Sequence, residues 1–247
     1  MQLTVLGCGD AFGAGSRLQT SFYVRSASTT FLIDCGATTL IGMRRLGLAP
    51  NDIDTVFVSH LHGDHFSGLP WLFIDAKYVS RRTRPLVVAG PKSIEARFVA
   101  LAEALYPGSL DGERDFDLVF VEYEERKPLD IAGVTVTPFE VHHPSSAPPY
   151  ALRFGIEDKV LSFTGDTGWV EALTEVARDA DLFITECFQY DLKMPMHLDY
   201  KTIDANYDRL AARRVLLTHM GEEMLAACSR VDPVRFEIAE DGMTIDL

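Results

Sequence analysis

The sequence predicts a layered α/β domain, and three observations carry that prediction. Short apolar strands alternate with helical segments through both halves of the chain. The run Ile53-Asp54-Thr55-Val56-Phe57-Val58-Ser59 is β-branched and apolar, the kind of strand buried on both faces. No clear sequence repeat and no Pro/Gly/Ser linker divides the chain. One compact domain is therefore expected over 1–247, in two αβ halves of approximately 1–126 and 127–247.

The elements follow in order. Residues 3–7 and 21–26 read as strands, with a Gly-rich turn over 7–13 after the first. Thr30 to Asp34 is a third strand, ended by Cys35-Gly36, and a helix over 37–46 stops at Gly47. The buried run 53–59 delivers the chain into His60. A helix over 68–80, a strand over 85–89 and an amphipathic helix over 93–105 complete the first half. In the second half, strands are expected at 117–123, 134–142, 151–156 and 159–164, the last two forming a hairpin around Glu157-Asp158. A helix follows Gly168 and runs to about Asp179, and 182–186 is a strand. Asp199 is placed to cap a helix over 201–212, with Ile203, Tyr207 and Leu210 on one face. Arg214 to Thr218 is a strand that ends on His219, and a hairpin around Asp241-Gly242 closes the chain.

Composition narrows the function. The chain has 247 residues, 47% of them hydrophobic, enough for a substantial core. A net charge of −13 repels phosphate-rich polymers, so a large nucleic acid is not the expected partner. A small anion stays admissible, because bound metal ions dominate the local field. Cys8, Cys35, Cys187 and Cys228 are far apart with no CxxC pair, which points to buried free thiols. The N-terminal stretch has no basic region followed by a long apolar run. No signal peptide and no membrane span are expected, and the protein is read as cytoplasmic.

The segment His60-Leu61-His62-Gly63-Asp64-His65 puts three imidazoles and a carboxylate into six residues. Neutral nitrogens and an anionic oxygen suit a borderline cation such as zinc. His60 and His62 leave a strand end on the same side, and Gly63 permits a sharp turn that brings Asp64 and His65 to a second position. That arrangement serves two adjacent ions.

This segment resembles the HxHxDH signature of the metallo-β-lactamase superfamily. The resemblance continues through Val141-His142-His143-Pro144, Ser162-Phe163-Thr164-Gly165-Asp166-Thr167 and Leu217-Thr218-His219. It also takes in the opening strands at Leu3 to Gly7 and Leu32-Ile33-Asp34-Cys35-Gly36, and so nearly the whole chain. It implies a four-layer αββα sandwich. It also implies two divalent metal ions, zinc or alternatively manganese, with His60, His62 and His143 on one and Asp64, His65 and His219 on the other. Asp166 then bridges the two. His143 is preferred to His142 because relatives of this kind carry His-Pro, small residues and then an aromatic, here His143-Pro144 through Tyr150.

Glu186 after an apolar strand, and His197 before a helix, resemble the glutamate and histidine of the ribonuclease Z-like phosphodiesterase branch. The resemblance implies that Asp64 orients the attacking water, His197 assists the leaving oxygen and Glu186 orients His197. The long basic arm that clamps tRNA in ribonuclease Z has no counterpart between His143 and Asp166. The expected partner is a small molecule, a small or cyclic phosphodiester, with no large nucleic acid and no membrane. A homodimer is left open. Arg17 and Arg81-Arg82-Thr83-Arg84 are considered as phosphate contacts, although a solvated turn is the commoner fate of such a run. Two other readings stay open: a lactonase or thioesterase of the same fold, and a non-hydrolytic metal-binding member.

Overall fold

Alternation of side chains along each strand sets the layers. The computed structural model describes residues 1–247. In the first half, the chain forms β1 (Gln2–Gly7), β2 (Ser21–Arg25), β3 (Thr30–Ile33), β4 (Thr55–Phe57), β5 (Leu86–Gly90) and β6 (Leu118–Glu122). The second half supplies β7 (Leu129–Ile131), β8 (Val134–Glu140), β9 (Tyr150–Ile156), β10 (Lys159–Phe163), β11 (Leu182–Glu186), β12 (Val215–Thr218), β13 (Glu237–Ile238) and β14 (Thr244–Asp246). They make two mixed sheets, ordered β14-β1-β2-β3-β4-β5-β6 and β13-β12-β11-β10-β9-β8-β7.

Phe31, Ile33, Phe57, Leu152, Phe154, Ile184 and Leu216 fill the space between the sheets. Their neighbours one position away, such as Leu32, Val56, Ala151, Phe183 and Leu217, face the outer helices. The first sheet is covered by α1 (Thr39–Arg45), α2 (Gly63–Phe66), α3 (Leu69–Ile74) and α4 (Ile94–Leu105). The second is covered by α5 (Ala172–Ala177), α6 (Tyr200–Ala205), α7 (Tyr207–Leu210) and α8 (Glu222–Ala226). The result is the αββα sandwich that the resemblance implied. No helix is long and apolar enough to cross a membrane.

Several elements differ from expectation, and three of these differences bear on the layers or the site. The helix expected after Gly168 begins only at Ala172, because Gly168 N–H donates to the His142 carbonyl and is committed to a bridge between loops. The helix expected over 201–212 breaks at Asn206, whose φ of −107° leaves the helical region. The cap was placed correctly, since Asp199 accepts from Thr202 N–H. The Asp241-Gly242 turn does not close a hairpin. It carries the chain from β13, parallel to β12 in the second sheet, to β14, antiparallel to β1 in the first. Asp241 accepts from the backbone N–H groups of Cys8 and Leu18, which ties that crossing to the Gly-rich turn.

Candidate metal centre

The parallel strands set the site. β10, β11 and β12 run side by side, with Phe163 opposite Ile184 and Glu186 opposite Thr218. Their carboxyl ends therefore lie on one edge, from which Asp166, Glu186 and His219 emerge. From the other sheet, β4 runs beside β3 and β5 into Ser59 and His60. Tyr150 N–H donates to the Ser59 carbonyl, and His219 N–H donates to the Cys8 carbonyl, so the two sheets are joined at the site. α2 lies directly on Gly36, where a Cβ would come within 2.0 Å of the Asp64 carbonyl oxygen.

Donor atoms converge in two groups, His60, His62 and His143 in one and Asp64, His65, Asp166 and His219 in the other. In the first, His62 Nδ1 and His143 Nε2 are 3.0 Å apart. In the second, His65 Nε2 lies 3.2 Å from Asp64 and 3.3 Å from Asp166, and His219 Nε2 lies 3.3 Å from Asp166. Donors at about 2.0–2.1 Å from a tetrahedral ion are spaced by about 3.3–3.4 Å, so the edges of 3.2 and 3.3 Å are close to those of a coordination shell, and the 3.0 Å edge is somewhat shorter. Asp166 also reaches the first group, with its Oδ2 3.9 Å from His60 Nε2. His143, not His142, is the histidine in the cluster; His142 is exposed and turned away.

The donor set fits two cations on its own chemistry. His60 Nε2, His65 Nε2 and Asp166 Oδ1 are buried with no hydrogen-bond partner. Leaving a buried polar atom unpaired costs about 1–3 kcal/mol, and three such atoms aimed at one space suit divalent ions. Burial, reinforced by neighbouring His65, pushes His60 well below the ordinary histidine range, and burial lowers His143 and His219 as well. Neutral imidazoles are the ligand form. His65 goes the other way: burial opposes its charge, yet Asp166, Asp64 and Asp34 converge on it and raise it well above the ordinary range, a concentration of negative charge that a cation at Nε2 would answer in place of that proton. The opposite nitrogens are held from behind. Ser59 Oγ lies 3.1 Å from His60 Nδ1, Asp34 2.6 Å from His65 Nδ1, Thr20 Oγ1 3.1 Å from His219 Nδ1, and the Met196 carbonyl 2.8 Å from His143 Nδ1.

Glu186 and His197 are in contact. His197 Nδ1 is 3.1 Å from both carboxylate oxygens of the fully buried Glu186. Burial acts to lower His197, but the hydrogen bond and charge of Glu186 outweigh it and raise the imidazole to about 9. Burial in turn pushes Glu186 upward, against the pull of His197 and of Thr167 N–H, which donates to it at 2.5 Å. The His197 ring packs 4.8 Å from Phe188 and 4.9 Å from His143. A cavity of about 240 Å³ opens here, lined by His62, Asp64, His143, His197, Phe188 and, at its mouth, Phe12. Phe12 is 90% exposed, and nothing in its Gly-rich surroundings marked it beforehand.

The arginines take other roles. Arg82 is buried and donates to the carbonyls of Arg84, Pro85 and Asn51. Arg84 pairs with Asp54, and Arg17 donates to Ala239 O and contacts Cys8. Neither these three nor the exposed Arg81 lines the cavity; Arg81 and Arg84 stand in the solvated turn, whereas Arg82 is buried. Burial of a guanidinium is satisfied here by carbonyls, which sequence proximity of basic residues does not reveal. The four cysteines are unpaired, three of them buried.

Known proteins agree with this geometry. The uncharacterized Mycobacterium tuberculosis protein Rv1339 is 30% identical over 227 residues, covering 89% of this chain and 81% of that protein. Ribonuclease Z of Lachnospira eligens is 26% identical over 304 aligned positions, covering 100% of this chain and 98% of that enzyme. Among solved structures, the metallo-β-lactamase fold protein YhfI of Bacillus subtilis superposes with a TM-score of 0.79 at 22% identity, over 99% of this chain and 98% of that one. The family model described as anti-Pycsar protein Apyc1 matches residues 1–240. Fold, metal cluster and relatives converge, and the chain belongs to the anti-Pycsar protein Apyc1 family, in the ribonuclease Z-like branch of the metallo-β-lactamase superfamily.

Proposed function

We propose that the protein is a metal-dependent phosphodiesterase acting on a small or cyclic phosphodiester. In this reading His60, His62 and His143 hold one divalent ion, Asp64, His65 and His219 hold the other, and Asp166 is shared. Zinc suits the imidazole-rich donor set best, with manganese as the alternative. The observation that carries the phosphodiester assignment is His197. The two donor groups are complete without it, yet a ring nitrogen lies within 4.8 Å of donor atoms of His143 and Asp166. Glu186 holds its Nδ1, which leaves Nε2 for the cavity.

When bound, divalent ions lower the pKa of water towards about 7 and neutralise charge on phosphoryl oxygens. The rest of the work falls to the chain. Asp64 Oδ2 sits against His65, and its other oxygen orients the attacking water. His197, whose Nδ1 is held by Glu186, presents Nε2 to the cavity and donates a proton from it to the leaving oxygen. Glu186 fixes the ring plane and stabilises the charged imidazole. Phe188 covers one face of that ring and limits its rotation. The small cavity, the short β9–β10 hairpin between His143 and Asp166, and the net charge of −13 all support a small substrate over a polynucleotide.

The test is a substrate panel on protein loaded with zinc or manganese: bis(p-nitrophenyl) phosphate, cyclic nucleotides, a cyclic sugar phosphate, a lactone and a thioester. Phosphodiesters should be hydrolysed in preference. Turnover confined to the lactone or thioester would move the protein to the carbon-ester reading.

A further inference from the structure

We propose that Asp34 and Ser59 couple the two metal subsites, one buried carboxylate fixing a ligand in each. The proposal rests on the two-ion reading above and extends it to how the ions load.

The argument is a count of protons. Asp34 is fully buried, and its carboxylate receives three donors. Ser59 N–H donates to Oδ1 at 2.7 Å, Ser59 Oγ donates to Oδ2 at 2.8 Å, and His65 Nδ1 lies 2.6 Å from Oδ2. A serine hydroxyl has one proton. Because Ser59 gives that proton to Asp34, it can only accept from His60 Nδ1, 3.1 Å away. His60 is thereby fixed as the Nδ1–H tautomer, with Nε2 free. The direct bond from His65 Nδ1–H to Asp34 does the same for His65. These two freed nitrogens, His60 Nε2 and His65 Nε2, are both among the buried atoms with no partner. They belong to different donor groups. A single carboxylate thus orients a ligand of each subsite, one directly and one through Ser59.

The backbone supports this arrangement. Asp34 has φ of 59°, in the left-handed region, which aspartate tolerates better than most non-glycine residues. Gly165, with φ of 58°, lets the Asp166 loop lie against Ser59: a Cβ there would meet the Tyr150 carbonyl at 2.9 Å and Ser59 Cβ at 3.1 Å. Filling one subsite therefore locks Asp34 and Ser59 in the arrangement that the other subsite needs.

Thr20 is the internal control. Its hydroxyl donates to the Gly9 carbonyl at 2.9 Å, so by the same count it accepts from His219 Nδ1 at 3.1 Å. It fixes a ligand of the second subsite alone, and its hydroxyl makes no bond to the Asp34 carboxylate.

The experiment titrates metal-free protein with Zn²⁺ alone against a chromophoric chelator, with no substrate present. His219→Ala and His62→Ala backgrounds isolate the first and second subsites respectively. Ser59→Ala should weaken Zn²⁺ binding by about 10–100-fold in the His219→Ala background, the usual scale for loss of an orienting partner, and by a smaller factor in the His62→Ala background, where it acts only through Asp34. Thr20→Val should weaken the His62→Ala background alone. Asp34→Asn should weaken both. Ser59→Thr keeps the hydroxyl and should restore binding. With both subsites intact, the two ions should load with positive cooperativity that Ser59→Ala abolishes. Independent loading in the unsubstituted protein, or a Ser59→Ala loss equal in both backgrounds, would overturn the coupling. Circular dichroism reports folding, and if Asp34→Asn does not fold, the contrast of Ser59→Ala with Ser59→Thr decides. Two coupled ions without phosphodiester turnover would refute the proposed activity and leave the coupling standing.

Discussion

At the scale of single residues, two histidines separate chemistry from architecture. His142 and His143 are adjacent, and only His143 faces His62. His143→Ala should abolish turnover and lower metal content, while His142→Ala should keep most of both; elemental analysis beside a rate assay checks this. His197 is the second test. An acid matters when the leaving oxygen is basic, so His197→Ala should cost about 10²–10⁴-fold in kcat on an alkyl phosphodiester. On a p-nitrophenyl ester, whose leaving oxygen needs no proton, the loss should be much smaller, with metal content unchanged. Glu186→Gln should show a weaker form of the same contrast, because Glu186 acts through the ring it holds. Equal losses on both substrates would assign His197 to substrate positioning instead.

At the scale of elements, legibility followed the range over which a signal acts. Donor residues at strand ends were legible, because an apolar run followed by His or Asp is a local pattern; His60, Asp166 and His219, which converge in the cluster, all emerge that way. The Asp199 cap was readable for the same reason. Asp199→Ala should therefore cost about 0.5–2 kcal/mol of stability in a urea titration, without changing metal content. What failed locally was the start of α5, where Gly168 is committed to the His142 carbonyl, and the continuity of α6 into α7, which breaks where Asn206 leaves the helical region. Thr20, Ser59 and Asp34 were invisible as site residues. Thr20 and His219 are 199 positions apart, and no local pattern encodes such a pair. One clue did exist: an aspartate ending the apolar run Phe31-Leu32-Ile33 has to find donors once buried, and Asp34 found Ser59 and His65.

At the scale of the molecule, two energetic centres hold the halves together, and they should be separable. One is the apolar layer between the sheets, where Phe154 lies 5.2 Å from Phe57 and 5.6 Å from Phe31 by ring centroids. Phe154→Ala should cost about 3–5 kcal/mol, as expected for a fully buried phenylalanine. The other is the metal centre, whose donors come from loops after strands of both sheets. Ions that bind only the folded chain stabilise it by about 2.7 kcal/mol each when free metal exceeds Kd 100-fold. A chain of this size shifts by about 2–4 °C per kcal/mol, so stripping two ions should lower Tm by roughly 10–20 °C. Adding back zinc should restore it. Phe154 is not among the donors, so its cost should add to the effect of chelation with little coupling. Calorimetry of both proteins, with and without chelator, makes the comparison. If chelation left Tm unchanged, the sheets would be held by the apolar layer alone, and the donor cluster would not be a tight two-ion site.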